Sequence, residues 1–143
     1  MRAAKVRVTV IRKVGAPVGD AWIRKAVVAA MAASHPKKSG AVTVVLAGDA
    51  EVRRLNGAYR GKDKTTDVLS FPMNAAGELG DIVVSVAQAG RQAAEDGRPL
   101  RNELALLLVH GALHLLGHDH VKKSDAASMF SIQTRVLKRL GYA

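Results

Sequence analysis

The sequence predicts a single α+β domain, a mixed four-stranded sheet packed with four to five helices. Three observations carry this. The chain has 143 residues, 48% of them hydrophobic, which suits one domain with a real core. Four short segments have strand-like patterning and are interspersed with segments of helical periodicity. Only a short turn separates the third and fourth strands, so these two pair antiparallel.

The elements follow in order. Lys5 to Ile11 alternates apolar and polar residues with period two, a half-buried strand. After the turn-rich Val14–Gly19, Asp20 to Ser34 forms a helix with Trp22, Ile23, Ala26, Val27, Ala30 and Met31 on its apolar face. His35-Pro36 stops it, and His35 reads as a helix-end histidine. Ala41 to Leu46 is a continuous apolar run, a buried strand. Asp49 is placed to cap a short helix whose Val52 and Leu55 face inward. A polar stretch, Lys62 to Asp67, then leads to a strand from Val68 to Phe71 closed by Pro72. Asn74 to Gly80 is a turn and Asp81 to Ser85 the fourth strand. Val86 to Asp96 is a helix ending at Gly97, and Pro99 opens the next, from about Leu100 to Leu116. Ser124 caps a last helix, Asp125 to Leu140, with Met129, Ile132, Val136 and Leu140 inward and Gly141 at its end.

Composition narrows the function. There are 22 Lys and Arg against 12 Asp and Glu, a net charge of +10, and residues 1–40 carry only one acid, Asp20. Such a surplus suits an acidic partner, nucleic acid above all, and equally a solvated basic surface. Five aromatic residues, Trp22, Tyr59, Phe71, Phe130 and Tyr142, argue against RNA binding through a broad stacking platform. The absence of cysteine excludes disulfides, thiolate zinc sites and cysteine nucleophiles, so a metal site must use His, Asp or Glu. The N-terminus lacks the apolar stretch of a signal peptide, and the longest apolar run, Leu104 to Gly117, is too short to cross a bilayer. The expectation is a cytoplasmic protein with no membrane partner.

The chemistry concentrates in His110-Gly-Ala-Leu-His-Leu-Leu-Gly-His-Asp-His120. On a helix His110 and His114 lie one turn apart on one face and can reach a common cation. Gly117 stops the helix and lets the chain turn back, so that His120 can supply a third nitrogen. Three neutral imidazoles leave a fourth zinc position open, the pattern of a catalytic site. His118 could replace His120, donate from behind, or be exposed. Asp119 could orient an imidazole or hydrogen-bond its own turn. The spacing is that of metzincin proteases, but their catalytic glutamate is replaced by Gly111. Without that base amide hydrolysis is disfavoured, whereas phosphodiester cleavage tolerates the loss better, since a metal can activate water and a cation can hold the phosphate. Gly111 also leaves a gap through which a backbone or substrate could approach. Arg60, between Gly57 and Gly61, is the best placed second cation, since guanidinium binds phosphate as a bidentate fork. The bland alternative is a solvated loop in which Lys62, Asp63 and Lys64 balance one another.

The histidine segment resembles the H-G-x-L-H-L-x-G-x-D-H signature of the YbeY family, bacterial endoribonucleases of ribosomal RNA maturation. Leu55 to Pro72 and Leu79 to Val83 are similar to two further blocks of that family, in the same order and spacing. The resemblance covers the chain from about Val42 onward. It implies one zinc ion per chain on His110, His114 and His120, and places the family's functionally important arginine on Arg60. It implies a single-strand-specific, metal-dependent endoribonuclease, with residues 1–143 as one domain. Its partners would be ribosomal RNA and the small ribosomal subunit, and its tasks maturation of the 3′ end of small-subunit RNA and ribosome quality control. One departure is His118, where relatives often carry Tyr. Two alternatives stand beside this reading: a zincin-like metallohydrolase or peptidase, and a non-catalytic ribosome-binding factor with structural zinc.

Overall fold

The computed structural model describes residues 5–118 and 123–142, apart from the side chains of Asn74, Lys123 and Ser124. The elements are β1 (Val6–Arg12), α1 (Asp20–Ser34), β2 (Gly40–Ala47), α2 (Asp49–Arg60), β3 (Val68–Ala75), β4 (Glu78–Ser85), α3 (Val86–Glu95), α4 (Leu100–Leu115) and α5 (Lys123–Leu140). The strands form one mixed sheet in the order β1-β2-β4-β3. β1 pairs parallel with β2 and β2 with β4, while β3 pairs antiparallel with β4. The expected α+β domain with four strands and five helices is observed among the described residues.

Strand periodicity divides the core into two layers. Val42, Val44 and Leu46 of β2 join the large cluster with Ile23, Val27 and Met31 of α1 and the apolar residues of α4. Ala47 points to the opposite face, in a smaller cluster with Val52 of α2, Leu69 and Val83. The helix α4 is the centre of the molecule, in contact with α1, α3, α5, β3 and β4. That explains why it is apolar on nearly every side, and burial of each of Leu104, Leu107, Leu108, Leu113 and Leu115 stabilises the fold by about 1.5–3 kcal/mol. Its one buried acid, Glu103, accepts hydrogen bonds from Gln92 Nε2 at 2.9 Å and Arg98 Nη2 at 3.5 Å.

Three local expectations are corrected. Pro72 does not close β3: the strand runs to Ala75, with Pro72 in register with Gly80. β3 lies at the edge of the sheet, where a missing N–H is tolerated. The turn accordingly shrinks to residues 76–77, and β4 begins at Glu78. Asp49 is the first residue of α2, and Gly48 precedes it as the cap. The Asp49 carboxylate instead accepts hydrogen bonds from Ser85 Oγ at 2.8 Å and Thr65 Oγ1 at 3.2 Å and pairs with Arg91. The Ser85 hydroxyl, followed by Arg91, holds this carboxyl below its ordinary pKa. Ser85 Oγ also accepts from Gln88 N–H and so caps α3. The last helix begins at Lys123, and the expected cap on the Ser124 side chain lies outside the described residues. No described helix is long and apolar enough to cross a membrane.

Candidate functional site

α2 delivers the cationic part of the site. Arg60 is the last residue of this helix rather than part of a free loop, and Gly57 lies inside the helix. Its Nη2 donates to the carbonyl of Ser70 on β3 at 2.8 Å, and its guanidinium carbon lies 5.8 Å from the centre of the Phe71 ring. The following loop is held by Asn56, a buried residue whose Nδ2 donates to the carbonyl of Lys64 at 2.9 Å. Asp63 pairs with Arg53 at 2.8 Å rather than with its lysine neighbours. Lys62 and Lys64 are thereby free to join Arg60 along a cleft of about 460 Å³.

The same cleft is lined by His110 and His114 of α4. Their Nε2 atoms lie 3.1 Å apart, with the rings at 68° to each other. Two nitrogens ~2.0–2.1 Å from one tetrahedral zinc lie about 3.3 Å apart, so the observed pair fits a shared ion with little adjustment. His110 Nδ1 lies 3.1 Å from Oε1 of the buried Gln133 on α5. An N–H donated from Nδ1 leaves the Nε2 lone pair directed at the cleft, which is how ligating histidines are held. The sequence reading missed Gln133, because 23 residues and a helix boundary separate it from His110.

The expected third ligand, His120, and the neighbouring Asp119 lie outside the described residues. Within those described, no three ligating side chains come together. His118 turns elsewhere: its Nε2 contacts Ser34 Oγ at 2.7 Å, and its ring meets His35 edge-on at 6.0 Å. The stop at Gly117 is as expected, with φ +93° and the His118 N–H returning to the carbonyl of Leu113 at 3.2 Å.

Gly111 is not a gap for substrate. It is buried against the sheet, and its carbonyl accepts a hydrogen bond from Ser70 Oγ at 3.1 Å. A Cβ at this position would meet Ile82 Cγ2 at 2.8 Å and Ser70 Oγ at 3.2 Å. The position of the protease glutamate therefore faces a packed wall in this chain. A carboxylate does reach the cleft elsewhere. Asp67 accepts from Val68 N–H at 2.7 Å and from Gln92 Nε2 at 3.2 Å, which ties the cleft wall through Gln92 to Glu103 of α4.

A family model described as "Endoribonuclease YbeY" matches residues 12–141. The chain belongs to the endoribonuclease YbeY family. Among its relatives, a protein named endoribonuclease YbeY from Aromatoleum aromaticum is 41% identical over 141 residues, covering 98% of this chain and 92% of its own. Another of that name, from Alkalilimnicola ehrlichii, is 40% identical over 146 residues, covering 97% and 87%. The solution structure of a Thermotoga maritima protein, TM1509, is 27% identical and superposes with a TM-score of 0.66, covering 93% of this chain and 87% of the other. The matched span contains Arg60, His110 and His114, three residues that line one cleft.

Gln133 offers a test of the site that does not depend on catalysis. Gln133→Leu is expected to lower metal affinity by about 10–100-fold, the usual effect of losing an orienting partner. Competition against a chromophoric chelator measures it, and unchanged affinity would remove Gln133 from the site.

Proposed function

We propose that this chain is a single-strand-specific, metal-dependent endoribonuclease acting in ribosomal RNA processing. Its tasks would be maturation of the 3′ end of small-subunit RNA and ribosome quality control in the cytoplasm, and its partners single-stranded ribosomal RNA and the small ribosomal subunit. The observation that supports this best is the shared cleft, where two imidazole nitrogens 3.1 Å apart lie with a guanidinium and two lysines. His110, His114 and His120 are the residues that would hold one zinc ion. Zinc bound there would supply Lewis acidity, activating water or polarising the scissile phosphate.

The side chains of the chain divide the remaining work. Arg60 donates to the phosphoryl oxygens as negative charge builds on them, and the Ser70 carbonyl fixes its direction beforehand. Lys62 and Lys64 attract the adjoining phosphates, so affinity falls steeply with salt. Gln133 keeps the His110 ring aligned. The packed surroundings of Gly111 weigh against the peptidase reading, because they leave no room for its base.

Arg60→Ala is expected to reduce cleavage of a single-stranded ribosomal RNA 3′-precursor by about 10²–10³-fold, the effect of removing one donor to a developing oxyanion. Metal content should stay at the wild-type level. Wild-type cleavage by this variant would overturn the role of Arg60. Failure of metal-replete wild type, freed of contaminating nuclease, to cut the precursor would overturn the nuclease reading in favour of a binding factor.

A further inference from the structure

The inward stripe of α2 continues past the edge of the sheet. Val52, Asn56 and Tyr59 follow one another at helical spacing, and the first two are buried. Tyr59 would be the next core residue, yet it is 70% exposed. The reason is topological: β3 is the edge strand, so among the described residues no further strand lies beyond it to cover the ring. The Tyr59 ring meets the edge strand's Phe71, at 5.4 Å between ring centres and 65° between planes. Phe71 in turn faces the guanidinium of Arg60, which lines the cleft. An open aromatic ring is therefore held by an edge-to-face contact beside the arginine.

We propose that Tyr59, backed by Phe71, is a stacking site for one unpaired base of the nucleotide adjoining the phosphate held by Arg60. The inference rests on the reading of the chain as an RNA-cleaving protein and adds how it selects single strands. A base in a duplex is covered on both faces by its neighbours and must leave the stack to lie on Tyr59, whereas an unpaired base does so readily. A stacking ring accepts every base, so the site selects for single-strandedness rather than for sequence. The occupant is set by position. Tyr59 and Arg60 both contact the Phe71 ring, at 5.4 and 5.8 Å, so a chain whose phosphate engages Arg60 brings its adjoining base toward the neighbouring ring. This is a local contact for one base, compatible with the small number of aromatic residues in the chain.

The test uses a 2′-O-methyl oligoribonucleotide, which resists cleavage, with 2-aminopurine at each position in turn. Its fluorescence is quenched when the base stacks. Wild type is expected to bind and to quench at one position. Tyr59→Ala should bind about tenfold more weakly without that quench, and Tyr59→Phe should retain both. An oligomer abasic at that position should bind wild type and Tyr59→Ala alike. The stacking site is overturned if Tyr59→Ala binds and quenches as wild type does, or weakens the abasic oligomer as much as the intact one. If wild type binds no oligomer, the RNA reading itself fails and the stacking site with it. That outcome appears before any substitution, so the two failures are distinct.

Discussion

His114→Ala is expected to lose bound metal and to cut single-stranded RNA at least ~10³-fold more slowly than wild type. The magnitude follows from the several kcal/mol that a Lewis acid contributes to a phosphoryl transition state, at about 1.4 kcal/mol per tenfold. The two Nε2 atoms converge at 3.1 Å, so removal of one breaks that pair and leaves two of the three proposed nitrogens. The fold should survive. His114 stands in the last turn of α4, half-buried at the cleft, and alanine is a good helix former. Metal content by elemental analysis, read with the cleavage rate and the far-UV circular dichroism spectrum, checks the expectation. A folded variant that retains stoichiometric metal would exclude His114 as a ligand.

Gly111→Glu is expected to unfold the protein rather than to convert it into a peptidase. The substitution restores the protease pattern in sequence, but a Cβ at this position already meets Ile82 Cγ2 at 2.8 Å and Ser70 Oγ at 3.2 Å. A carboxylate would be forced between α4 and the sheet, where an unpaired charge is strongly disfavoured. A loss above about 4 kcal/mol would consume much of the ~5–15 kcal/mol that stabilises a domain. Thermal unfolding should show a midpoint lowered by about 10 °C or more, or insoluble protein. A stable Gly111→Glu variant that hydrolyses peptides would reverse this account.

The sequence made some elements legible and hid others for definite reasons. α1 runs from Asp20 to Ser34 as its apolar spacing indicates, because a helix packed on one side must repeat every 3.6 residues. His110 and His114 share a face for the same reason. Pro72 misled because the penalty for proline depends on a strand's place in the sheet, and edge position is a property of topology. The glycines around Arg60 suggested a free loop, whereas contacts with β3 extend α2 through Gly57 to Arg60. Gln133 and the His118–Ser34 contact join residues 23 and 84 positions apart, beyond the reach of any local pattern. The sequence left Gly111 open to the approach of a backbone or of a substrate, and only the assembled sheet shows that β3 and β4 stand opposite it.

The orientation of α4 has an electrostatic consequence. Peptide dipoles along its sixteen residues add up to roughly half a negative charge at the C-terminal end. His114 stands in that last turn, so the end of the helix that meets the cleft is its negative pole. A cation held by the imidazoles gains from this field, whereas a phosphate approaching alone is repelled by it. Attraction of an anionic substrate must then come from another element, and α2 with its following loop carries Arg60, Lys62 and Lys64 on the same cleft. Both helices thus bring their C-terminal, electronegative ends to one site, α4 where a cation would sit and α2 with side-chain cations that outweigh its dipole and serve the substrate.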